Sequence, residues 1–171
     1  MCLVTEIKPT KFHMMADADN IMKELILRIA AKHRITGIDV NSPTSQEAIK
    51  DIEQKIGCAL PQDFALFYST CNGFTCTEDI FNMKSLESII EYENDFGPGW
   101  FYFSDYMINS DRWMLRKKAG DSWEIINAGE TEIMLTSSLC DFLEKFLAGG
   151  VFEPGGLYDW HDQVKTELRP K

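Results

Sequence analysis

Residues 94–127 read NDFGPGWFYFSDYMINSDRWMLRKKAGDSWEIIN, and this stretch decides the fold. It opens on Asn94-Asp95-Phe96-Gly97-Pro98-Gly99, a cluster of breaker residues that predicts a loop. Apolar and aromatic residues then recur in short runs at 100–103, 107–116 and 122–126, with one more at 133–134. Such runs, bounded by turn residues, predict strands. Lys118-Ala119-Gly120-Asp121 has the composition of a hairpin connection between two of them. Consecutive hairpins build an antiparallel meander, not alternating strand–helix units.

Outward from the meander the texture is mostly helical. Met22, Leu25, Ile26, Ile29, Ala30 and His33 recur at helical spacing and predict a helix over about residues 17–34, behind an irregular lead-in. A turn-rich stretch at 39–44 follows. Thr44 with Glu47 three residues on is a capping-box pattern, Ala48, Ile49, Ile52 and Ile56 give the helix it opens a buried face, and Gly57 stops it. Pro61 starts a further helix with Phe64, Phe67, Tyr68 and Cys71 on one side, ended by Asn72-Gly73. Residues 80–83 are a short strand candidate, and residues 85–91 a short helix with Leu86, Ile89 and Ile90 inward. Leu139, Phe142, Leu143, Phe146 and Leu147 form the apolar stripe of a closing helix, terminated by Gly149-Gly150. The expectation is an α+β fold: helices packed on one antiparallel β-meander of about four to six strands, with a closing C-terminal helix. Residues 1–171 are expected to form one domain, with a tail at 151–171 whose aromatics pack down as far as Trp160.

Seventeen basic residues against twenty-seven acidic ones give a formal charge of −10. A chain of that sign lacks the basic face that neutralises phosphates, so neither direct nucleic-acid binding nor an anionic membrane surface is expected. A cationic protein partner would instead be attracted over long range. The five cysteines, Cys2, Cys58, Cys71, Cys76 and Cys140, are odd in number, scattered and without a C-x-x-C pair, which favours a reducing compartment. No apolar run approaches the ~20 residues that span a bilayer, and the start is broken by Glu6, Lys8, Pro9 and Lys11. The expected location is the cytoplasm.

The search for chemistry returns little. His13, His33 and His161 lie at no ligand spacing from one another, and Cys71 with Cys76 finds no second pair to complete a zinc site. Nucleophile elbows and phosphate loops are absent from the sequence, and Pro98 removes a donor that a glycine-rich cradle would need. No catalytic residue, metal or cofactor is expected. What stands out is charge: Glu78, Asp79, Glu87, Glu91, Glu93 and Asp95 accompany a single base, Lys84, and the hairpin just beyond carries Arg112, Arg116, Lys117 and Lys118. Acidic side chains beside aromatics make a plausible anchor for a protein partner, so the candidate contact residues are Glu91, Glu93, Asp95, Trp100, Asp105 and Asp111. Asp105 and Asp111 could alternatively serve an enzyme or small-ligand site, which a deep pocket with converging polar groups would reveal.

The order of these signals resembles a known group. Thr44-Ser45-Gln46-Glu47 through Ile56-Gly57, the step Leu60-Pro61-Gln62-Asp63-Phe64, and Tyr68-Ser69-Thr70-Cys71-Asn72-Gly73-Phe74 look like the opening of the Smi/Knr-type domain of the SUKH superfamily. Trp100-Phe101-Tyr102-Phe103-Ser104-Asp105-Tyr106 resembles that group's aromatic strand, Trp113-Met114-Leu115 the next strand, and residues 137–147 its closing helix. The resemblance spans residues 44–147. It implies a binding protein: bacterial relatives are mostly immunity proteins that neutralise toxins, many of them nucleases, and fungal namesakes are linked to glucan synthesis and cell-wall signalling. It carries over no catalytic residue. The implied partner is a cationic toxin, and a regulator or scaffold of cell-wall synthesis is the alternative.

Overall fold

The computed structural model describes residues 11–77, 80–129 and 131–168, with side chains from residue 18 to 32 and from 37 onward within those spans. Cys2, Glu78 and Asp79, the side chains of His13 and His33, and the lead-in as far as residue 10 lie outside them; the rest of the lead-in, residues 11–16, is not irregular but the start of a helix.

The chain runs α1 (Lys11–Thr36), β1 (Ile38–Val40), α2 (Gln46–Ile56), α3 (Gln62–Thr70), β2 (Phe74–Cys76), β3 (Phe81–Met83) and α4 (Leu86–Glu91). It continues through β4 (Phe96–Gly97), β5 (Trp100–Tyr106), β6 (Asp111–Lys117), β7 (Trp123–Asn127), β8 (Ile133–Thr136), α5 (Leu139–Gly149) and α6 (Leu157–Glu167). The strands form one antiparallel sheet in the order β1-β2-β3-β5-β6-β7-β8, with β4 paired to β5. The fold is therefore α+β, as the sequence predicts, but the sheet has eight strands and not four to six. The surplus is β1, β2 and β4, which are two or three residues long and too short to show an alternating pattern. Strand β4 lies inside the stretch read as a breaker loop, because Pro98 and Gly99 (φ 74°) make a tight turn that folds Phe96 and Gly97 back on Phe101 and Trp100.

The run at 107–116, read as one strand, is also different. Strand β5 extends to Tyr106, residues 107–110 turn, and β6 starts at Asp111. Apolar β-branched residues read as strand whatever their backbone does, and this turn has no Gly or Pro to announce it.

The core lies between the sheet and helices α1, α3 and α5. Met22, Leu25, Ile26 and Ile29 are the buried stripe of α1, and Phe64, Phe67 and Tyr68 that of α3. Phe142, Leu143 and Phe146 do the same on α5. Aromatic rings join the layers edge to face: Phe64 meets Phe103 at 5.2 Å, Phe103 meets Phe142 at 5.2 Å, and Phe81 meets Trp113 at 5.6 Å. Burying each such ring contributes about 2–3 kcal/mol, so this layer dominates stability.

Helix starts follow the predicted chemistry with one shift. Ser45, not Thr44, caps α2 by accepting from the Ala48 N–H, because the Thr44 hydroxyl donates to Glu87 instead. Ser85 and Ser138 cap α4 and α5 in the same way. The tail forms α6, anchored by the buried Leu157. It turns back through a backbone crossing at Gly149 and Gly156, where a Cβ on either residue would sit 2.6 Å from the other's main chain.

Candidate protein-binding face

Asn72 and Gly73 do more than end a helix. The Asn72 side chain donates to Glu87 at 2.6 Å and accepts from the Leu86 N–H at 3.0 Å, fixing the start of α4. Gly73 (φ 83°) lies so close to the end of β3 that a Cβ would meet the Met83 carbonyl oxygen at 2.2 Å. Lys84 is thereby held between β3 and α4, its N–H donating to the Phe103 carbonyl. Burial opposes ionisation of the Glu87 carboxyl, but hydrogen bonds from Asn72, its own backbone, Thr44 and Ser85 together keep it below the ordinary carboxylate range.

On β5 a bulge does the positioning. The register with β6 shifts between Tyr102 and Ser104, leaving Phe103 as the extra residue. Phe101 and Phe103 face the core, and strict alternation would send Asp105 there too. The inserted residue reverses the parity and puts Asp105 beside its cross-strand partner Asn82, which donates to it at 3.2 Å.

Lys84 ends up at the centre of a buried polar knot. Its Nζ lies 2.6 Å from Asp95 Oδ2, 3.1 Å from Asn109 Oδ1 and 3.6 Å from Asp105 Oδ2. Arg112 reaches Asp95 at 3.6 Å and lies over the Tyr102 ring, 3.8 Å from its centroid. Two cations thus face two carboxylates. This knot lines an open cleft of about 550 Å³ together with Tyr92, Asn94 and Ile108. The polar groups of the knot converge on one another.

The six candidate contact residues are not one patch. Asp95 and Asp105 are brought together, but as buried partners of Lys84. Glu91 and Glu93 are exposed on either side of Tyr92 at the cleft's edge. Trp100 packs against the bare face of Gly97 and edge-on to Tyr102. Asp111 faces a second hollow of about 340 Å³, where it accepts from Asn127 at 3.0 Å and from the Tyr158 hydroxyl at 2.8 Å. Burial and then the adjacent Asp111 carboxylate push the Tyr158 phenol up, so it stays a donor. Sequence reasoning missed Asn109 and Ile108 and noted Lys84 only as a lone base. The signal available was that one base among so many acids is a natural hub.

No group of three His, Cys, Asp or Glu side chains suited to a metal ion occurs among the described residues. Burial pushes the Cys71 thiol up to about 12 and the Cys140 thiol to about 11, which leaves neither activated as a nucleophile. No helix among the described residues is long and apolar enough to cross a membrane.

Over 60 residues the chain is 42% identical to the Bacillus subtilis protein "Uncharacterized protein YnaB", a match covering 34% of this chain and 41% of that one. A profile of the SMI1/KNR4 family (SUKH-1) matches residues 43–148, from just before α2 almost to the end of α5. Helices α2 to α4, the bulged aromatic strand and all but the last residue of α5 fall inside that match, and the chain belongs to the SMI1/KNR4 family (SUKH-1).

Proposed function

We propose that this protein is a cytoplasmic immunity protein that neutralises a cationic toxin, a nuclease being the best fit, by occupying it. The observation that carries this reading is the knot around Lys84, whose charges pair with one another and hold the end of β3, β5 and the loop before β4 together. A face built this way is suited to being covered, while the formal charge of −10 steers a basic partner onto it. Acidic side chains such as Glu91 and Glu93 can stand where a nuclease cleft would otherwise hold phosphates. Inhibition is by binding, with no bond made or broken by the chain.

The test is calorimetric titration of the purified chain into any nuclease domain found encoded beside its gene, at about 50 mM and about 500 mM salt to vary counterion screening, with DNA cleavage followed in parallel. A 1:1 complex that abolishes cleavage and weakens with salt is expected. No complex at low salt with any such cationic nuclease rules the reading out.

A further inference from the structure

Among the described residues, Ile80, Met107, Ile108 and Asn109 are the non-glycine residues with left-handed backbones, at φ 51°, 47°, 52° and 65°. All four gather at one place. The Met107 N–H donates to the Ile80 carbonyl at 3.0 Å, which ties the start of the β5–β6 turn to the residue before β3. Isoleucine is among the residues least suited to this region, because its branched Cβ crowds the following carbonyl. Such a conformation persists only where surrounding contacts enforce it. Here they do: Lys84 holds the Asn109 side chain, and the Ser110 N–H and hydroxyl both donate to the Met107 carbonyl.

The strain serves no burial. Ile108 is 85% exposed, Ile80 49% and Met107 47%. Met107 and Ile108 are thus held out into solvent by an anchored turn, with Ile80 beside them through its bond to Met107, and Ile108 lines the cleft together with Tyr92, itself 57% exposed. A pre-ordered apolar anchor loses little freedom on docking, which is how a few residues come to dominate an interface.

We infer that the β5–β6 turn, led by Ile108, is the anchor by which this protein enters an apolar pocket on a cationic partner protein. This deepens the toxin-neutralising reading and rests on it. Charge selects the occupant: a second copy would bring another −10, whereas a basic partner is drawn in and meets exposed Glu91 and Glu93 across the cleft.

The test uses Ile108→Asn in the full chain, with Leu27→Asn on α1, an exposed leucine that does not line the cleft, as control. Asparagine tolerates the left-handed region and leaves the charge unchanged, so the variant keeps its fold. The expected result is that affinity for the neighbouring toxin nuclease falls about 30-fold, equally at low and high salt, while Tm holds or rises and Leu27→Asn changes neither. Unchanged affinity in Ile108→Asn overturns the anchor and leaves toxin neutralisation standing. Failure of the wild-type chain to bind any cationic nuclease overturns both. A wild-type dimer in sedimentation that Ile108→Asn converts to monomer gives the turn to self-association and also overturns the inference.

Discussion

Strand β6 is flanked by two hairpin turns built on opposite principles. At its far end, residues 118–121 turn with Gly120 in the left-handed region (φ 78°), where a Cβ would meet nothing within 4 Å. The side chains around it are charged: Arg116 and Lys118 both reach the Glu124 carboxylate, at 2.7 and 3.2 Å. At its near end, the same backbone region is filled by Met107, Ile108 and Asn109, and two of the exposed side chains, Met107 and Ile108, are large and apolar. One turn uses the residue for which the conformation is easy and displays what water favours. The other does neither. A sheet needs only the first kind, so the second kind marks the part of the molecule that is shaped for something besides folding.

Four substitutions would break or sharpen this contrast. Lys84→Met leaves Asp105 buried without a cation and Asp95 with only Arg112 at 3.6 Å, unhooks Asn109, and should cost about 3–5 kcal/mol in urea unfolding at neutral pH. A loss under about 1 kcal/mol would mean that the near turn is held by something other than the knot. Gly120→Val puts a branched residue into the left-handed region with open space around it, so the cost is purely conformational, about 1–2 kcal/mol. The mirror experiment, Ile108→Gly, releases the same kind of strain and forfeits no burial, for a gain of about 1 kcal/mol once glycine's extra unfolded-state freedom is subtracted. Stability that instead drops would show the near turn to be relaxed as it stands.

The smallest effect is electrostatic. Burial disfavours the charged form of Glu124, but hydrogen bonds and attraction from Arg116 and Lys118 outweigh it and hold its carboxyl below the ordinary range. A depressed folded-state value means that its contribution is fully present above the ordinary glutamate range and is lost as pH falls through the folded value. Glu124→Gln should therefore lower stability by under about 1 kcal/mol at pH 7, because both cations are partly solvated, and flatten the acid limb of the stability–pH curve. A side-chain carbonyl NMR titration of Glu124 with a midpoint at or above that of a free glutamate contradicts this.

The helices were legible because burial writes itself into spacing. The stripes on α1, α3 and α5 reappear in the structure as Met22-Leu25-Ile26-Ile29, Phe64-Phe67-Tyr68 and Phe142-Leu143-Phe146. The meander was legible in kind, less so in extent, since β1, β2 and β4 have too few residues to show a period. The candidate face was legible only as composition. Asp95 and Asp105 stand out in the sequence as acids near aromatics, yet a bulge at Phe103 and an approach made possible by Gly73 decide that they meet Lys84 in the interior. Contacts across 10 to 25 positions leave no local pattern to read. The near turn was hidden for the opposite reason: Met107 and Ile108 follow local propensity for strand, and the tertiary contacts of Lys84 and Ile80 override it.

The crossing at Gly149 and Gly156 sets a condition on how the chain continues past its family core. The family match stops at residue 148, and α6 lies wholly beyond it. A methyl group at either glycine would force the two backbones apart and lift Tyr158 away from Asp111, the link that ties α6 to the start of β6. A helix seated in this position thus requires two bare α-carbons. Relatives that end in such a helix should carry both, and lineages that lost one should have lost the helix's seat along with it.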